Sequence, residues 1–453
     1  MTAPDGASED QFGRPVSQSG DILAVGAKYS DPGGVADAGA AYLYKVEQNG
    51  TATYLTKVTA PDGAQADQFG ISVSQSGDSL AVGAYKSDPG DVTNAGAAYL
   101  YKLEQNGTAT YLTKVTAPDG AASDQFGISV SQSGDILAVG AQYSDPEGEP
   151  DAGAAYLYKV EQNGTATYLT KLPAPDGSAS DYFGSSVSQS GDFLVVGAYS
   201  ANAGAAYLYK LEQNGTVTYL TKVTAPDGAA NDYFGYSVSQ SGDFLAVGAY
   251  KSDPGGEPDA GAAYLYKLEQ NGTATYLTKV TAPDGVANDN FGVSVSQSGD
   301  FLAVGAYRSD PGGVTAAGAA YLYKLEHNGT ATYLTKVTAP EGAANDNFGI
   351  SVFQSGDVLA VGAVHVSGAG AAYLYDLSDY ASGDGGYNSG DGGYSTGDGG
   401  YSSGDGGYGS GDGGYGSGDG GYNSGDGGYG SGDGDYGSGD EGYHTGDGGY
   451  GSG

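Results

Sequence analysis

The chain has 453 residues, and its 54 acidic and 17 basic side chains give it a net charge of −37. Such a charge repels nucleic acid and anionic membrane surfaces and favours cations, basic proteins or neutral glycans as partners. Cysteine is absent, which excludes disulfides, thiolate metal sites and cysteine nucleophiles.

The N-terminus, Met1-Thr2-Ala3-Pro4, carries neither the basic nor the apolar region of a signal peptide. No stretch of the chain reaches the ~20 apolar residues of a membrane span.

The chain is dominated by an internal repeat of about 57 residues, shortened to about 51 in the fourth unit. Its marker is Ala-Pro-Asp-Gly, which becomes Ala-Pro-Glu-Gly in the last copy. The seven copies start at Ala3, Ala60, Ala117, Ala174, Ala225, Ala282 and Ala339. A period of this size with several strands in each unit indicates a propeller or a solenoid.

The second unit shows the predicted elements in order. Residues 69–74 alternate in polarity, residues 80–84 form a short apolar run, and residues 97–103 are aromatic and alternating. Asn106-Gly107 is a strong hairpin signal, because a type I′ turn needs positive φ twice, and a fourth strand follows over residues 108–115. No segment has helical periodicity, so each unit is predicted to be a four-stranded antiparallel sheet.

Each such sheet has two apolar faces that it cannot bury alone. Radial packing of seven units buries both, so residues 1–378 are predicted to form an all-β, seven-bladed β-propeller. A β-solenoid is the alternative, but its coils are usually shorter and lack Asn-Gly hairpins. Tyrosines two residues apart, such as Tyr42 and Tyr44 or Tyr264 and Tyr266, share one sheet face and are predicted to pack between blades.

These residues carry a family resemblance. Phe69-Gly70 followed by Val82-Gly83-Ala84 resembles the FG-GAP repeat of integrin α-chain propellers. The fuller unit, from Asp67 to Tyr101, is more similar to the FG-GAP variant of bacterial and protist surface proteins. The resemblance covers seven register-matched copies and implies an extracellular or cell-surface location.

The seventh unit lacks its fourth strand. Its propeller pattern ends near Leu377, and the N-terminus begins at an inter-blade turn, so it is not expected to supply the strand. The sequence predicts a three-stranded last blade with an exposed edge over residues 371–377, which favours association. We therefore expect that an N-terminal strand and a signal peptide precede Met1 in a longer precursor.

Residues 379–453 repeat Tyr-x-Ser-Gly-Asp-Gly-Gly every seven residues. Flexible glycine and regular negative charge prevent a packed core, so this tail is predicted to be disordered. It is interpreted as a solvated spacer, with a self-associating tyrosine tail as the alternative. A calcium β-roll fits poorly, because its repeat has nine residues.

The resemblance would also imply the calcium loops of integrins, but the equivalent loops here read Gln-Ser-Gly-Asp, as at Gln75–Asp78. One carboxylate cannot supply the oxygen ligands that Ca²⁺ needs, so no cofactor is predicted at these loops and Ca²⁺ elsewhere is left open. The metal candidates that remain are the loop acids Asp145, Glu147, Asp151, Asp253, Glu257 and Asp259. The alternative is that they are solvated, and that the aspartates two residues before each Phe-Gly accept turn hydrogen bonds.

The loops between second and third strands lie on the same face as the inter-blade loops, and this face is predicted to bind a protein or glycan ligand. The candidate residues are Asp31, Asp37, Asp88, Asp91, Asp145, Glu147, Asp151, Asp253, Glu257, Asp259 and Asp310. Collectively their charge favours a basic partner.

Six Asn-Gly-Thr sequons fall at the predicted hairpins on the opposite face. They are Asn49, Asn106, Asn163, Asn214, Asn271 and Asn328, and they are glycosylation sites only if the chain is secreted by a eukaryote.

Catalysis is not predicted. The three histidines, His327, His365 and His444, are too dispersed to form a triad or a metal site. Near-identical units also place the same groups in every blade, whereas an active site usually needs a local departure.

The sequence therefore predicts an extracellular binding or adhesion module. A structural matrix protein with an associating tail is the alternative, and a carbohydrate-active enzyme a weaker one.

Overall fold

In the computed structural model, residues 1–381 are described, except residues 48, 49, 105, 106, 162, 213, 214, 270, 327 and 328. Beyond residue 381, only the ten three-residue strands given below are described.

Seven antiparallel sheets follow one another along the chain, each with its strands in sequence order. The first three blades are β1 Val16–Ser19, β2 Ile22–Ala27, β3 Ala40–Val46, β4 Ala52–Val58; β5 Ser72–Ser76, β6 Ser79–Ala84, β7 Ala97–Leu103, β8 Ala109–Val115; and β9 Ser129–Ser133, β10 Ile136–Ala141, β11 Ala154–Val160, β12 Ala166–Pro173. The fourth and fifth are β13 Ser186–Ser190, β14 Phe193–Ala198, β15 Ala205–Leu211, β16 Val217–Val223; and β17 Ser237–Ser241, β18 Phe244–Ala249, β19 Ala262–Leu268, β20 Ala274–Val280. The last two are β21 Ser294–Ser298, β22 Phe301–Ala306, β23 Ala319–Leu325, β24 Ala331–Val337; and β25 Phe348–Ser355, β26 Val358–Ala363, β27 Ala371–Asp376.

These sheets form the predicted seven-bladed propeller. The first strands of neighbouring blades contact one another, which places them around the central axis. Short 3₁₀ turns lie between second and third strands in every blade except the fourth, at Pro32–Gly34, Pro89–Asp91, Pro146–Gly148, Pro254–Gly256, Pro311–Gly313 and Val366–Gly368.

The hydrophobic core lies between blades, as the sequence predicts. Leu100 and Val115 of the second blade share one buried cluster with Phe126 and Tyr156 of the third. In the second blade, the second strand is buried from its second residue onward and the third strand is buried over its first five residues, because neighbouring blades cover both of their faces. The predicted tyrosine pairs are part of this core.

The Phe-Gly motif joins one blade to the next. The Phe69 ring is fully buried and meets the edges of the Tyr99 and Tyr101 rings at 5.4 and 6.1 Å. Its backbone forms a bridge to Gly39 of the preceding blade. The Val-Gly-Ala run at the end of the second strand also needs its glycine. A Cβ at Gly83 would lie 2.0 Å from the Gly127 carbonyl oxygen of the next blade. Glycine therefore permits the close approach of blades.

The seventh blade has three strands, as predicted, but its outer edge is partly covered. The Met1 ammonium donates to the Ala372 carbonyl at 2.7 Å, and the Ala372 N–H donates back to Met1 at 3.0 Å. Met1 thus takes the place that Val58 takes opposite Ala41 in the first blade. The prediction that the N-terminus does not supply the fourth strand is confirmed, because the last sheet has three strands, although Met1 aligns with the last residue of such a strand.

The predicted exposed edge is also shorter than expected. Ala371, Ala372 and Leu377 are buried, whereas Tyr373 and Leu374 are half-buried. Ring closure is completed by the Ser351 hydroxyl, which donates to the Gly13 carbonyl at 2.6 Å.

The C-terminal segment forms a compact unit of its own. A single turn, α1, spans Ser378–Ala381, and ten short strands form two parallel five-stranded sheets. They are β28 Tyr387–Ser389, β29 Tyr394–Thr396, β30 Tyr401–Ser403, β31 Tyr408–Ser410, β32 Tyr415–Ser417, β33 Tyr422–Ser424, β34 Tyr429–Ser431, β35 Tyr436–Ser438, β36 Tyr443–Thr445 and β37 Tyr450–Ser452. The predicted disorder falls mostly on residues outside those that are described and stays a prediction, as do the domain bounds.

Across the described residues, no helix is both long and apolar enough to cross a membrane.

Candidate functional site

The face formed by the inter-blade loops and the loops between second and third strands is here called the loop face. Five predicted ligand residues precede its 3₁₀ turns. In each, one carboxylate oxygen accepts the backbone N–H six residues later, at 2.6–2.8 Å. These five are Asp31, Asp88, Asp145, Asp253 and Asp310. Each closes its own loop, so part of its hydrogen-bonding capacity is already used.

The other predicted ligand residues lie in the same loops. Asp37, Asp91, Glu147, Asp151 and Asp259 have left-handed backbone, with φ between 53° and 63°. Asp259 also pairs with Lys251 at 2.6 Å, and Glu257 is exposed. Within the described part of the chain, no three of these acids, or of any histidines and acids, lie close enough to hold a metal ion. A ligand role for the predicted acids stays a prediction.

The aspartates before each Phe-Gly have a structural role. Asp67 is buried, and its Oδ2 accepts the Ala64 N–H at 2.9 Å. Burial raises the pKa of Asp67, and the hydrogen bond from Ala64 opposes this only in part. The same bond forms in the other six copies, at Asp10, Asp124, Asp181, Asp232, Asp289 and Asp346.

Two of the six sequon asparagines are described. Asn163 and Asn271 are exposed, and the Oδ1 atom of each accepts the backbone N–H two residues later at 2.9 Å. Asn49, Asn106, Asn214 and Asn328 lie outside the described residues.

The seven units differ from one another in sequence near the axis on the loop face. The variable positions are the residue before each Phe-Gly, the residue after it, and the two residues that follow each second strand. In blades three to five these positions hold six half-buried tyrosines, here called the axial patch. They are Tyr143, Tyr182, Tyr199, Tyr233, Tyr236 and Tyr250.

The axial patch is continuous across three blades. Tyr182 contacts Tyr143 and Tyr199 with ring centroids 5.3 Å apart in both pairs. Tyr199 then contacts Tyr233 at 5.3 Å and Tyr236 at 5.4 Å.

The chain of rings ends at Tyr250, which contacts Tyr236 at 4.5 Å and Tyr233 at 5.7 Å. Half-exposed tyrosines present both an apolar ring and a hydrogen-bonding hydroxyl, which makes them frequent anchors in binding surfaces.

Basic side chains flank the axial patch. Twelve of the 17 lysines and arginines occupy third and fourth strands, one per strand in the first six blades. The remaining five, Arg14, Lys28, Lys86, Lys251 and Arg308, all lie at the variable positions. Thus a chain of strongly negative charge concentrates its non-repeated cations at the axial end of one face.

A cavity of about 470 Å³ opens on the loop face between blades six and seven. Tyr307 and Arg308 line it, together with Asp289, Asp310 and Asn347. Tyr307 follows the second strand of the sixth blade as Tyr250 follows that of the fifth, so the cavity lies one blade further round the ring than the last tyrosine of the axial patch.

Reasoning from the sequence missed both the axial patch and the cations beside it. It looked for acids repeated in every unit, whereas these side chains occupy the positions where the units differ. Superposing the seven copies residue by residue would have found them, because Lys28, Tyr85, Gln142, Tyr199, Tyr250, Tyr307 and Val364 all occupy the same place after a second strand.

The family described as FG-GAP repeat matches the chain in seven segments, residues 1–44, 53–101, 110–158, 167–209, 218–266, 275–323 and 332–375. No curated protein matches the chain.

Among solved structures, the chain is similar to "the structure of Pseudomonas aeruginosa Periplasmic gluconolactonase, PpgL", with 15% sequence identity and a TM-score of 0.48. That match covers 73% of this chain and 86% of the other.

Proposed function

The chain belongs to the FG-GAP repeat family, and on that premise we propose that it is a ligand-binding module of the cell surface or extracellular space that binds through the axial end of its loop face. FG-GAP repeats are typical of extracellular proteins. The observation that carries the proposal is the axial patch, where an otherwise uniform repeat departs from its pattern.

The residue types at the variable positions are those found in binding surfaces. Scaffold positions keep the same residue in nearly every blade, whereas the axial positions carry tyrosine in consecutive blades and cations beside them. Packing alone does not require these tyrosines, because Gln125, Asn290 and Asn347 occupy the position of Tyr182 in other blades. A ligand that contacts aromatic rings gives a reason for them.

The proposed role is binding without catalysis. Its support is the kind of side chain at the axial positions, which are aromatic and cationic rather than paired carboxylates. The loops between second and third strands add acids such as Asp88 and Asp145 to the same face, and these acids would attract basic groups of a protein ligand.

The experiment is a screen of the full chain against immobilised glycans and extracellular-matrix proteins, with and without Ca²⁺. The test variant is Tyr182→Gln, Tyr233→Gln and Tyr236→Ile, which uses residues that other blades already carry at these positions. The control variant is Tyr111→Thr and Tyr168→Thr, which removes tyrosines that are 41% and 42% exposed on fourth strands.

We expect at least one ligand that the wild type and the control variant bind and the test variant does not. Binding that survives in the test variant would contradict the proposed site, and silence of the wild type across the screen would contradict the proposed function.

A further inference from the structure

Lys28 is an unusual lysine for so acidic a protein. It directly follows β2 at the axial end of the loop face, and only 9% of it is exposed. Its ammonium lies 4.5 Å from the centre of the Tyr29 ring. Among the described residues, no carboxylate lies within ion-pairing distance of it, whereas the fourth-strand lysines all pair with an aspartate.

The charges around Lys28 have the same sign as its own. Burial lowers the pKa of Lys28 to about 8, and the like charges of Arg14 and Lys86 act in the same direction. The Arg14 backbone bridges to Ala27, the residue before Lys28. Arg14 and Lys86 are half-buried, and neither forms an ion pair with a described carboxylate. Burying a cation beside two others without an anion is unfavourable, so the free protein keeps this cluster at a cost in stability.

The cluster adjoins the axial patch. Tyr85 lies in the second blade, and the Lys86 ammonium lies 5.5 Å from the centre of its ring. The second blade contacts the first blade, which carries Arg14 and Lys28, and the third blade, which carries Tyr143. A ligand that spans Tyr85 would therefore place one end among three cations and its body across tyrosine rings.

We propose that Arg14, Lys28 and Lys86 form an anion subsite for the carboxylate of an acidic sugar, whose neighbouring neutral sugars lie on the axial patch. This inference rests on the proposed binding function and names its ligand class. The faces of sugar rings carry C–H groups that stack on aromatic rings, and sugar hydroxyls can hydrogen-bond to the tyrosine hydroxyls.

The net charge of the protein limits the number of acid groups on the ligand. With a formal charge of −37, and with loop acids such as Asp31 and Asp88 on the same face, the chain repels an extended polyanion. An oligosaccharide with a single carboxylated sugar concentrates its one charge at the cations and leaves its remaining sugars neutral. An acidic peptide is the competing ligand class and forms a separate outcome of the test.

The experiment measures affinities by calorimetry in chloride buffer for oligosaccharides in matched pairs, each with and without one terminal glucuronic, galacturonic or sialic acid. The variant is Lys28→Gln, since Gln142 already occupies this repeat position in the third blade. The control is Lys102→Gln, because Lys102 lies near the end of the third strand β7 and not at a variable position. A second variant, Lys86→Ser, uses the residue that Ser200 provides in the fourth blade.

We expect at least one acidic oligosaccharide to bind about tenfold more tightly than its neutral partner. Lys28→Gln and Lys86→Ser should each reduce that advantage and leave the affinity for the neutral partner unchanged, while Lys102→Gln changes neither.

Equal affinity within every pair, or an acid preference that survives Lys28→Gln, would overturn the anion subsite. If neutral oligosaccharides still bind in a tyrosine-dependent way, the proposed binding function stands without it. Equal binding of a short peptide with one aspartate, or no binding by any oligosaccharide pair, would overturn the sugar assignment, whereas only silence across the wider screen of glycans and proteins would contradict the proposed function.

Discussion

Replacing Lys28 by methionine should stabilise the protein at neutral pH. The side chain keeps a similar length, but its buried charge beside Arg14 and Lys86 is removed. The pKa of Lys28 in the folded protein is about 8, against an ordinary value of 10.5. A difference of this size corresponds to about 3 kcal/mol of unfavourable free energy when the group is protonated in both states.

The sign of the pH dependence follows from proton binding. Below about pH 8, Lys28 is protonated in both the folded and the unfolded chain, and the whole cost is present. Between pH 8 and 10.5 the folded protein releases the proton and the unfolded chain keeps it, so the wild type gains stability as pH rises. The advantage of the methionine variant should therefore fall to about 1 kcal/mol by pH 9.5.

The assay is urea unfolding of both proteins at pH 7.0 and pH 9.5, followed by circular dichroism. Lys102→Met is the control, because Lys102 lies outside the cluster and should give no pH-dependent gain. A Lys28→Met variant that is less stable than the wild type at pH 7, or whose advantage does not change with pH, would refute the argument that the charge of Lys28 is costly.

The remaining predictions concern the propeller itself. An extension Ala-Thr-Tyr-Leu-Thr-Lys placed before Met1 should complete the fourth strand of the seventh blade, because Met1 already lies in the register of that strand. Thermal unfolding should show about 2 kcal/mol or more of added stability. The same extension with two prolines should add none. Gly83→Ala should prevent soluble folding or cost more than about 4 kcal/mol, because its Cβ would meet the Gly127 backbone. Gly77→Ala, in open space at φ 57°, should cost only about 1 kcal/mol, and equal losses in both variants would contradict the close-approach argument.

The fold was predictable because its determinants repeat. Asn-Gly hairpins, the spacing of Phe69-Gly70 and Val82-Gly83, and the alternating third strand recur in phase, so each copy confirms the others. The sequence also predicts, as the alternative to a ligand role, that Asp67 and its six equivalents accept hydrogen bonds within a turn, and the structure has these bonds. These features depend on residues that are close together in the chain, so the sequence alone predicts them.

The candidate site was not found because it depends on differences between copies and on the closed ring. Tyr143 and Tyr250 are 107 positions apart in the chain, and only the propeller brings them into one patch. The contact of Met1 with Ala372 was missed for a similar reason, since it joins the two ends of the ring.

The most direct test of the axial binding site is a crystal structure of the full chain in complex with the tightest ligand from the screen. We predict ligand density over Tyr182, Tyr199 and Tyr236 on the loop face, with any acid group directed to Lys28. Ligand density confined to the fourth strands or to the Asn-Gly hairpins, with the axial tyrosines uncovered, would contradict the account.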